Sequence, residues 1–303
     1  MKIKKIARNI GKNYFLYLFL LPALVYVFIF LYLPIYGIQI AFRDFSPNMG
    51  ILGSPWAGLK YFERFITSYQ FWTLLRNTLS LSVYSLAAGF PVPILLALML
   101  NYTLNPRFKK FAQSITYAPH FISVVVMTGM LMVFLSPRTG IVNQLIKALG
   151  LEPISFLGKP EMFSSIYVWS GIWQNAGWGS IIYIAALTGI NPELHEAAMV
   201  DGASKLQRIM HIDIPGILPT AVILLILSLG QIMSVGFEKA YLMQNALNIE
   251  KSEIISTYVY KIGMLDAHYS YSSAIGLFNN AINFILLVVV NRIARQVTGT
   301  SLW

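Results

Sequence analysis

Six long apolar runs constrain the fold of this chain more than any other feature. A helix needs about 20 predominantly apolar residues to cross the hydrocarbon core of a bilayer. The runs that meet this length lie at about 14–42, 77–100, 111–135, 163–187, 216–237 and 271–291. The sequence therefore predicts an all-α membrane protein with six transmembrane helices. Prolines interrupt the first two runs and predict kinks there, at Pro22, Pro34, Pro91 and Pro93.

The composition supports a polytopic membrane protein rather than a soluble globule. Hydrophobic residues make up 56% of the 303 residues and charged residues 11%, where soluble domains have about a quarter. The formal net charge of +10 is explained by Lys and Arg anchoring cytoplasmic loops, so we predict no nucleic-acid partner. The absence of cysteine excludes disulfides, thiolate nucleophiles and cysteine metal sites.

The distribution of basic residues predicts the orientation in the membrane. Lys and Arg in short segments close to span ends face the cytoplasm. The clustered set is Lys2, Lys4, Lys5, Arg8, Lys12, Arg107, Lys109, Lys110, Lys205, Arg208, Arg292 and Arg295. With six spans, this set places both termini in the cytoplasm.

The N-terminal segment 1–13 is basic, and we predict that it lies in the cytoplasm before the first span. The apolar run behind it is too long for a signal-peptide core and lacks a small-residue cleavage site, so we expect a retained span. The rest of the chain, 14–303, shows no internal repeat and is predicted to form one transmembrane domain.

A polar stretch between the fourth and fifth runs, 191–215, has a helix–turn–helix pattern. Pro192 suits the first turn of a helix, and Glu193 and Glu196 suit its positive N-terminal end. Gly202 favours a turn, and Ser204 is a suitable N-cap for a second short helix. We predict a pair of short helices at the membrane surface, held by two spans.

The spacing within this stretch is specific. Glu196-Ala197-Ala198 is followed after three residues by Gly202, after nine more by Ile212, and then by Ile214-Pro215. This resembles the coupling-loop signature EAA-x3-G-x9-I-x-L-P of permease subunits in binding-protein-dependent ABC importers, with Ile214 in place of Leu. The resemblance implies the type I ABC importer permease fold. It also implies that an ATPase contacts a defined set of residues, namely Glu196, Ala197, Ala198, Asp201 and Gly202.

The resemblance extends over essentially the whole chain. The runs WQNAGWGSIIYIAALTGINPELHEAAMVDGA, HFISVVVM and AIGLFNNAINFILLVVVN are similar to permeases for complex carbohydrates, the oligosaccharide branch of ABC importers. This implies a bacterial cytoplasmic membrane protein that works with a second homologous permease, an ABC ATPase dimer and an extracytoplasmic substrate-binding lipoprotein. ATP and Mg would bind to the ATPase, since the chain has no G-x4-G-K-[ST] phosphate loop. We expect no catalytic residue, metal or cofactor in this chain.

The predicted spans carry neutral polar groups rather than charge. No span core contains Asp or Glu, which argues against a carrier coupled to protons or sodium. Amides and aromatic faces suit sugar hydroxyls and pyranose rings, so we predict a path lined by Trp173, Gln231, Asn279, Asn280 and Asn283. The alternative is that these side chains form interfacial belts or join helices to one another. For His120, within the third run, a hydrogen bond to a neighbouring helix and a role in transport are both open.

Two other functions stay open on the sequence alone. The same permease fold carries peptides or amino acids in other importers, although such substrates bring charge that these spans do not match. A membrane-embedded glycan-processing enzyme would need clustered acidic residues near the interface. The one acidic cluster of this kind lies in the stretch 191–215, where the coupling motif explains it.

Overall fold

The computed structural model describes residues 12–302, which are helical apart from turns and one isolated antiparallel bridge between Arg43 and Trp56. The predicted N-terminal segment therefore lies outside the described residues except for its last two positions. In chain order the helices are α1 (Tyr14–Val27), α2 (Gly50–Gly53), α3 (Lys60–Ile66), α4 (Phe71–Gly89), α5 (Pro91–Asn101), α6 (Pro106–Tyr117), α7 (Val124–Phe134), α8 (Ile141–Ala148), α9 (Pro160–Thr188), α10 (Pro192–Val200), α11 (Lys205–Arg208), α12 (Ile214–Leu229), α13 (Phe237–Met243), α14 (Ile249–Ser252), α15 (Ile255–Tyr260) and α16 (Tyr269–Thr298).

Within the described residues, four helical stretches are long and apolar enough to cross a membrane. They are Tyr14–Phe42, Phe71–Asn101, Lys205–Leu229 and Tyr269–Val297. A fifth candidate is a bent pair, in which Pro106–Phe121 and Val124–Phe134 meet at 99°. The remaining predicted span falls in α9, whose 29 residues are sufficient in length. Its amides and tryptophans lower its mean hydropathy, so α9 is not among the helices that are apolar enough to be identified as spans by composition.

The third predicted span differs from the continuous helix expected at 111–135. Pro119 has no backbone N–H to continue the helical hydrogen bonding, and the chain tightens into a 3-10 turn at Ala118–Phe121. Ser123 then starts α7, because its hydroxyl accepts a hydrogen bond from the backbone N–H of Val126 at 3.3 Å. The predicted single span is therefore two helices joined by a sharp bend.

The chain forms two compact units. One comprises residues 12–67 with Lys261–Leu277. Within it the N–H of Phe45 donates to the Ser270 hydroxyl at 2.9 Å, and Arg64 lies 4.6 Å from the centre of the Tyr271 ring. These contacts tie the segment after the first span to the start of α16.

The other unit, Ser68–Tyr260 with residues 278–302, is built around α9. This helix packs against α4, α5, α6 and α12 and contributes to two apolar clusters, one at Phe163 and one at Tyr183. At Gly177 the helices α9 and α6 approach so closely that a Cβ atom would stand 1.9 Å from the carbonyl oxygen of Thr116. Because of this contact, only glycine fits at position 177.

Candidate coupling surface and translocation cavity

The polar stretch folds as a short exposed helix, a turn and a second helix, as the sequence predicts. Asn191 caps α10, since its side-chain oxygen accepts a hydrogen bond from the N–H of Glu193 at 3.0 Å. Pro192 occupies the first turn, and α10 ends after Val200. The loop thus presents a capped helix of nine residues between α9 and α12.

The turn after α10 depends on Gly202, whose φ is +78°. This left-handed conformation is readily adopted only by glycine. Ser204 then starts α11 with a reciprocal pair of bonds: its hydroxyl accepts from the N–H of Gln207, and its own N–H donates to the Gln207 side chain at 2.7 Å. The backbone geometry between the two helices is therefore encoded locally.

The predicted coupling residues form an exposed surface. Glu196, Ala197, Asp201 and Gly202 are exposed, and Ala198 is half-buried. Apolar side chains surround them, with Val200 at 88% exposure. Two small alanines beside a carboxylate and exposed apolar groups suit insertion into a cleft of another protein.

A buried carboxylate that the sequence analysis missed anchors this surface. Asp213 is 1% exposed and lies in the π-type turn Ile209–Asp213 between α11 and α12. Its Oδ2 accepts a hydrogen bond from the Tyr102 hydroxyl at 2.7 Å, and its Oδ1 lies 3.4 Å from Nε2 of His195 on α10. Burial, followed by the hydrogen bond to Asp213, raises the pKa of Tyr102 to about 12. We call Tyr102, His195 and Asp213 the coupling anchor, because they tie α10 to the end of α5 and the start of α12.

A cavity of about 480 Å³ lies between α4, α5, α9 and the segment that follows α12. Its polar side chains are Ser82, Ser85, Tyr167, Asn175, Ser228 and Gln231. The Ser85 hydroxyl is buried and has no hydrogen-bond partner within the described residues. Among the described residues no charged side chain lines the cavity, and its wall offers hydroxyl and amide groups for hydrogen bonding.

The five predicted path residues lie in different places. Gln231 lines the cavity, whereas Trp173 lines a separate apolar pocket with Phe134 and methionines of α7. Asn279 and Asn283 are buried and bind the segment after α12: Asn279 donates to the Met233 carbonyl at 3.2 Å, and Asn283 accepts from the Met233 N–H at 2.9 Å. Asn280 is exposed on α16. These contacts of Asn279 and Asn283 fit the alternative in which the amides join one part of the protein to another instead of lining the path.

His120 lies in the bend between α6 and α7. Its Nδ1 stands 3.0 Å from the side-chain oxygen of Asn175 on α9, and its ring stacks on Trp178 with centroids 4.7 Å apart. The sequence left open a hydrogen bond to a neighbouring helix and a role in transport. The structure shows the hydrogen bond, which His120 makes to Asn175 on α9. Since Asn175 also lines the cavity, His120 fixes the orientation of one of the cavity's amides.

Comparison with known proteins places these features in context. Residues 89–299 match the family model described as the binding-protein-dependent transport system inner membrane component. The polygalacturonan/rhamnogalacturonan transport system permease protein YteP of Bacillus subtilis (strain 168) is 45% identical over 97% of this chain and 92% of its own length.

Solved structures show the same similarity. A chain in the crystal structure of a bacterial ABC transporter involved in the import of the acidic polysaccharide alginate is 41% identical, with a TM-score of 0.90 over 97% of this chain and 99% of its own. The same values hold for a chain of the bacterial alginate ABC transporter in complex with an alginate pentasaccharide-bound periplasmic protein.

Proposed function

The chain belongs to the family of inner membrane components of binding-protein-dependent transport systems, and from this premise we propose that it translocates oligosaccharides in an ATP-driven importer. It is a transport subunit rather than an enzyme. The observation that carries the proposal is the exposed helix α10 with its EAA surface, which the coupling anchor connects to α5 and α12. Such a helix transmits the motion of a partner protein to the spans, whereas a flexible loop would dissipate it.

The cavity supports a saccharide as the transported solute. Its serines, Asn175 and Gln231 supply donors and acceptors for sugar hydroxyls, and the buried Ser85 hydroxyl is available to a ligand. The similarity to permeases for polygalacturonan and alginate supports the same class. Of the predicted path residues, Gln231 has the most direct support; Trp173, Asn279, Asn280 and Asn283 stay predictions.

The coupling surface supports an ATPase as the partner on the cytoplasmic side. Glu196, Ala197, Ala198, Asp201 and Gly202 would contact an ABC ATPase dimer, which would carry the ATP and Mg. The coupling anchor would pass the movement of α10 to α5 and α12 together, because Asp213 and Tyr102 connect all three. ATP-driven closure of the ATPases would then switch the spans between outward-open and inward-open states.

The remaining partners follow the same architecture. A second homologous permease would complete the membrane domain, and an extracytoplasmic lipoprotein would deliver the oligosaccharide. The alginate transporter crystallised with its saccharide-bound periplasmic protein supports the latter partner. In the bacterial cytoplasmic membrane, the clustered basic residues would hold both termini and the coupling loop on the cytoplasmic side.

Replacing Glu196 in the assembled importer tests this proposal. Glu196→Ala removes an exposed carboxylate and retains helix propensity, so the protein should insert and assemble normally. Loss of a charge-assisted bond to the ATPase, worth about 1.5–3 kcal/mol, should lower saccharide uptake roughly tenfold or more. Proteoliposome uptake and substrate-stimulated ATP hydrolysis measure the effect.

The exposed Glu152 provides the matched control, because it lies in an outer loop outside the coupling motif. Glu152→Ala should leave uptake and ATP hydrolysis unchanged. Wild-type uptake and wild-type stimulation in the Glu196 variant would refute the proposed coupling role.

A further inference from the structure

Lys239 is a buried cation outside both the coupling surface and the lining of the cavity. It lies on α13 and is 8% exposed. Its Nζ donates to the carbonyl oxygen of Tyr167 at 2.8 Å and lies 4.9 Å from the centre of the Tyr167 ring. An ammonium has three N–H donors, so two have no acceptor within the described part of the chain. No carboxylate of residues 12–302 lies within ion-pair distance of it.

The ammonium adjoins the wall of the cavity. Gly171, Tyr167 and Gly236 line the cavity, and Tyr167 is the residue that Lys239 contacts. A Cβ atom built on Gly171 would stand 3.3 Å from Nζ, and no other atom outside the two adjacent residues and the backbone of α9 lies within 4 Å of it. The ammonium therefore lies where a side chain of residue 171 would cover it, and glycine leaves it uncovered.

The electrostatics of this arrangement favour an anion. A buried charge without a counter-ion is unfavourable, and a carboxylate within hydrogen-bond distance offsets that penalty. α13 lies outside the helices long enough to span a membrane, and burial lowers the pKa of Lys239 to about 8. The amine is therefore desolvated, and a neighbouring anion would favour its charged form.

We propose that Lys239 binds a carboxylate of the transported saccharide through the gap at Gly171, so that the cavity selects uronate-bearing oligosaccharides over neutral ones. The inference rests on the proposed function, since it identifies the charge of that same solute. The cavity's serines and amides would hold the hydroxyl groups, while Lys239, which lies behind the wall at Gly171, supplies the positive charge. Selectivity for acidic sugars would thus reside partly in the membrane subunit.

The test measures binding to the whole membrane complex, with both permeases and the ATPases in lipid nanodiscs. The binding protein is left out, so that its own selectivity does not enter. The probes are trigalacturonate and its carboxyl-reduced, neutral form, titrated by calorimetry. The wild-type complex should bind the acidic trisaccharide roughly tenfold more tightly or better, as expected for a charge-assisted contact.

Two variants and one control locate the effect. Lys239→Met should weaken binding of trigalacturonate roughly tenfold and leave the neutral form within about twofold. Gly171→Ala keeps the charge but covers the ammonium with a methyl group. This variant should also bind trigalacturonate more weakly, so that its affinity approaches that for the neutral form. Alanine suits a helix better than glycine, so this variant remains informative if Lys239→Met fails to assemble. Lys147→Met removes an exposed lysine of α8 and should change neither affinity.

Several results would overturn the inference. If both variants keep the wild-type preference, Lys239 serves only to bind the Tyr167 carbonyl. If the wild-type complex binds the two trisaccharides equally, or binds neither, Lys239 does not select acidic saccharides. ATP-driven saccharide uptake by that same complex, measured separately, shows whether the proposed function survives such a result.

Discussion

Backbone conformation, rather than side-chain space, requires glycine at position 202. Its φ is +78°, yet an added Cβ would meet nothing within 4 Å. A β-branched residue here should strain the turn by about 1–2 kcal/mol and tilt α10 away from its partner. We therefore expect Gly202→Val to lower uptake and substrate-stimulated ATP hydrolysis strongly while membrane insertion persists, and Gly202→Asn to be milder.

Gly150 offers a backbone-matched control for that experiment. Its φ is +77°, and a Cβ there would also meet open space, but it lies in the loop after α8. Gly150→Val should impose similar strain and leave coupling intact. Equal losses of uptake in both valine variants would show that the effect at Gly202 is general destabilisation.

The coupling anchor predicts a pH-dependent stability difference. The pKa of Tyr102 rises from 10.0 to about 12, so the folded protein retains this proton more firmly than the unfolded chain does. The stabilisation from the Tyr102–Asp213 bond is thus complete below pH 10 and is lost as pH rises from 10 to about 12. Tyr102→Phe should lower the free energy of unfolding by about 1–3 kcal/mol at pH 8, because it strands the buried carboxylate.

Thermal unfolding of the purified complex across this pH range measures the effect. The difference in melting temperature between wild type and the Tyr102→Phe variant should become smaller above pH 10. Tyr69→Phe, at a tyrosine that is 89% exposed, is the control and should match wild type at every pH. A difference in melting temperature that stays constant from pH 8 to pH 12 would contradict the role assigned to the Tyr102 proton.

Residues whose roles are local could be predicted from the sequence, and residues whose roles depend on distant partners could not. Pro192, Gly202 and Ser204 act on the turn in which they occur, so spacing and residue type were sufficient. Asp213 pairs with Tyr102, which is 111 positions away. Lys239 contacts Tyr167, which is 72 positions away, and it lies in a segment whose composition resembles an outer loop. Nothing in the neighbourhood of either charged residue indicates that it is buried.

Among the elements, the end of α12 depends on amides from α16. The fifth span was predicted to continue to 237, but α12 ends at Leu229 and the chain then turns. Asn283 accepts from the Met233 N–H and Asn279 donates to the Met233 carbonyl, so two side chains of α16 pair backbone groups that a continued helix would have paired. Gly230 and Gly236 flank this turn in the sequence, but the amides that stabilise it come from another helix and could not be identified from the segment itself.

Asn283→Ala should therefore act on stability rather than on transport selectivity. Removing an amide that joins helices in a membrane protein lowers stability by less than about 2 kcal/mol. We expect a lower melting temperature and a reduced yield of assembled complex, with unchanged substrate affinity in the molecules that assemble. Asn280→Ala, on an exposed position of the same helix, should leave stability unchanged. Reduced uptake by a normally assembled Asn283→Ala complex would instead assign Asn283 to the path.

At the scale of the whole molecule, the open side of the cavity supports the proposal that this chain works with a second permease. The chain does not enclose the cavity by itself, and the Gln231 side chain in its wall is exposed. Polar groups facing lipid without partners are unfavourable by several kcal/mol each, so another protein should close the open side. A second permease of the same family fits this requirement better than a second copy, because the family resemblance pairs two non-identical subunits.

We accordingly predict that this chain, reconstituted with the ATPase and the binding protein alone, takes up no saccharide. Adding the second permease should restore uptake and saccharide-stimulated ATP hydrolysis together, because both depend on a closed path and on two coupling surfaces. Purification of each combination, followed by uptake in proteoliposomes, separates failure to assemble from failure to transport. A stable complex that contains this chain as its sole permease and transports saccharide would show that its cavity closes by self-association.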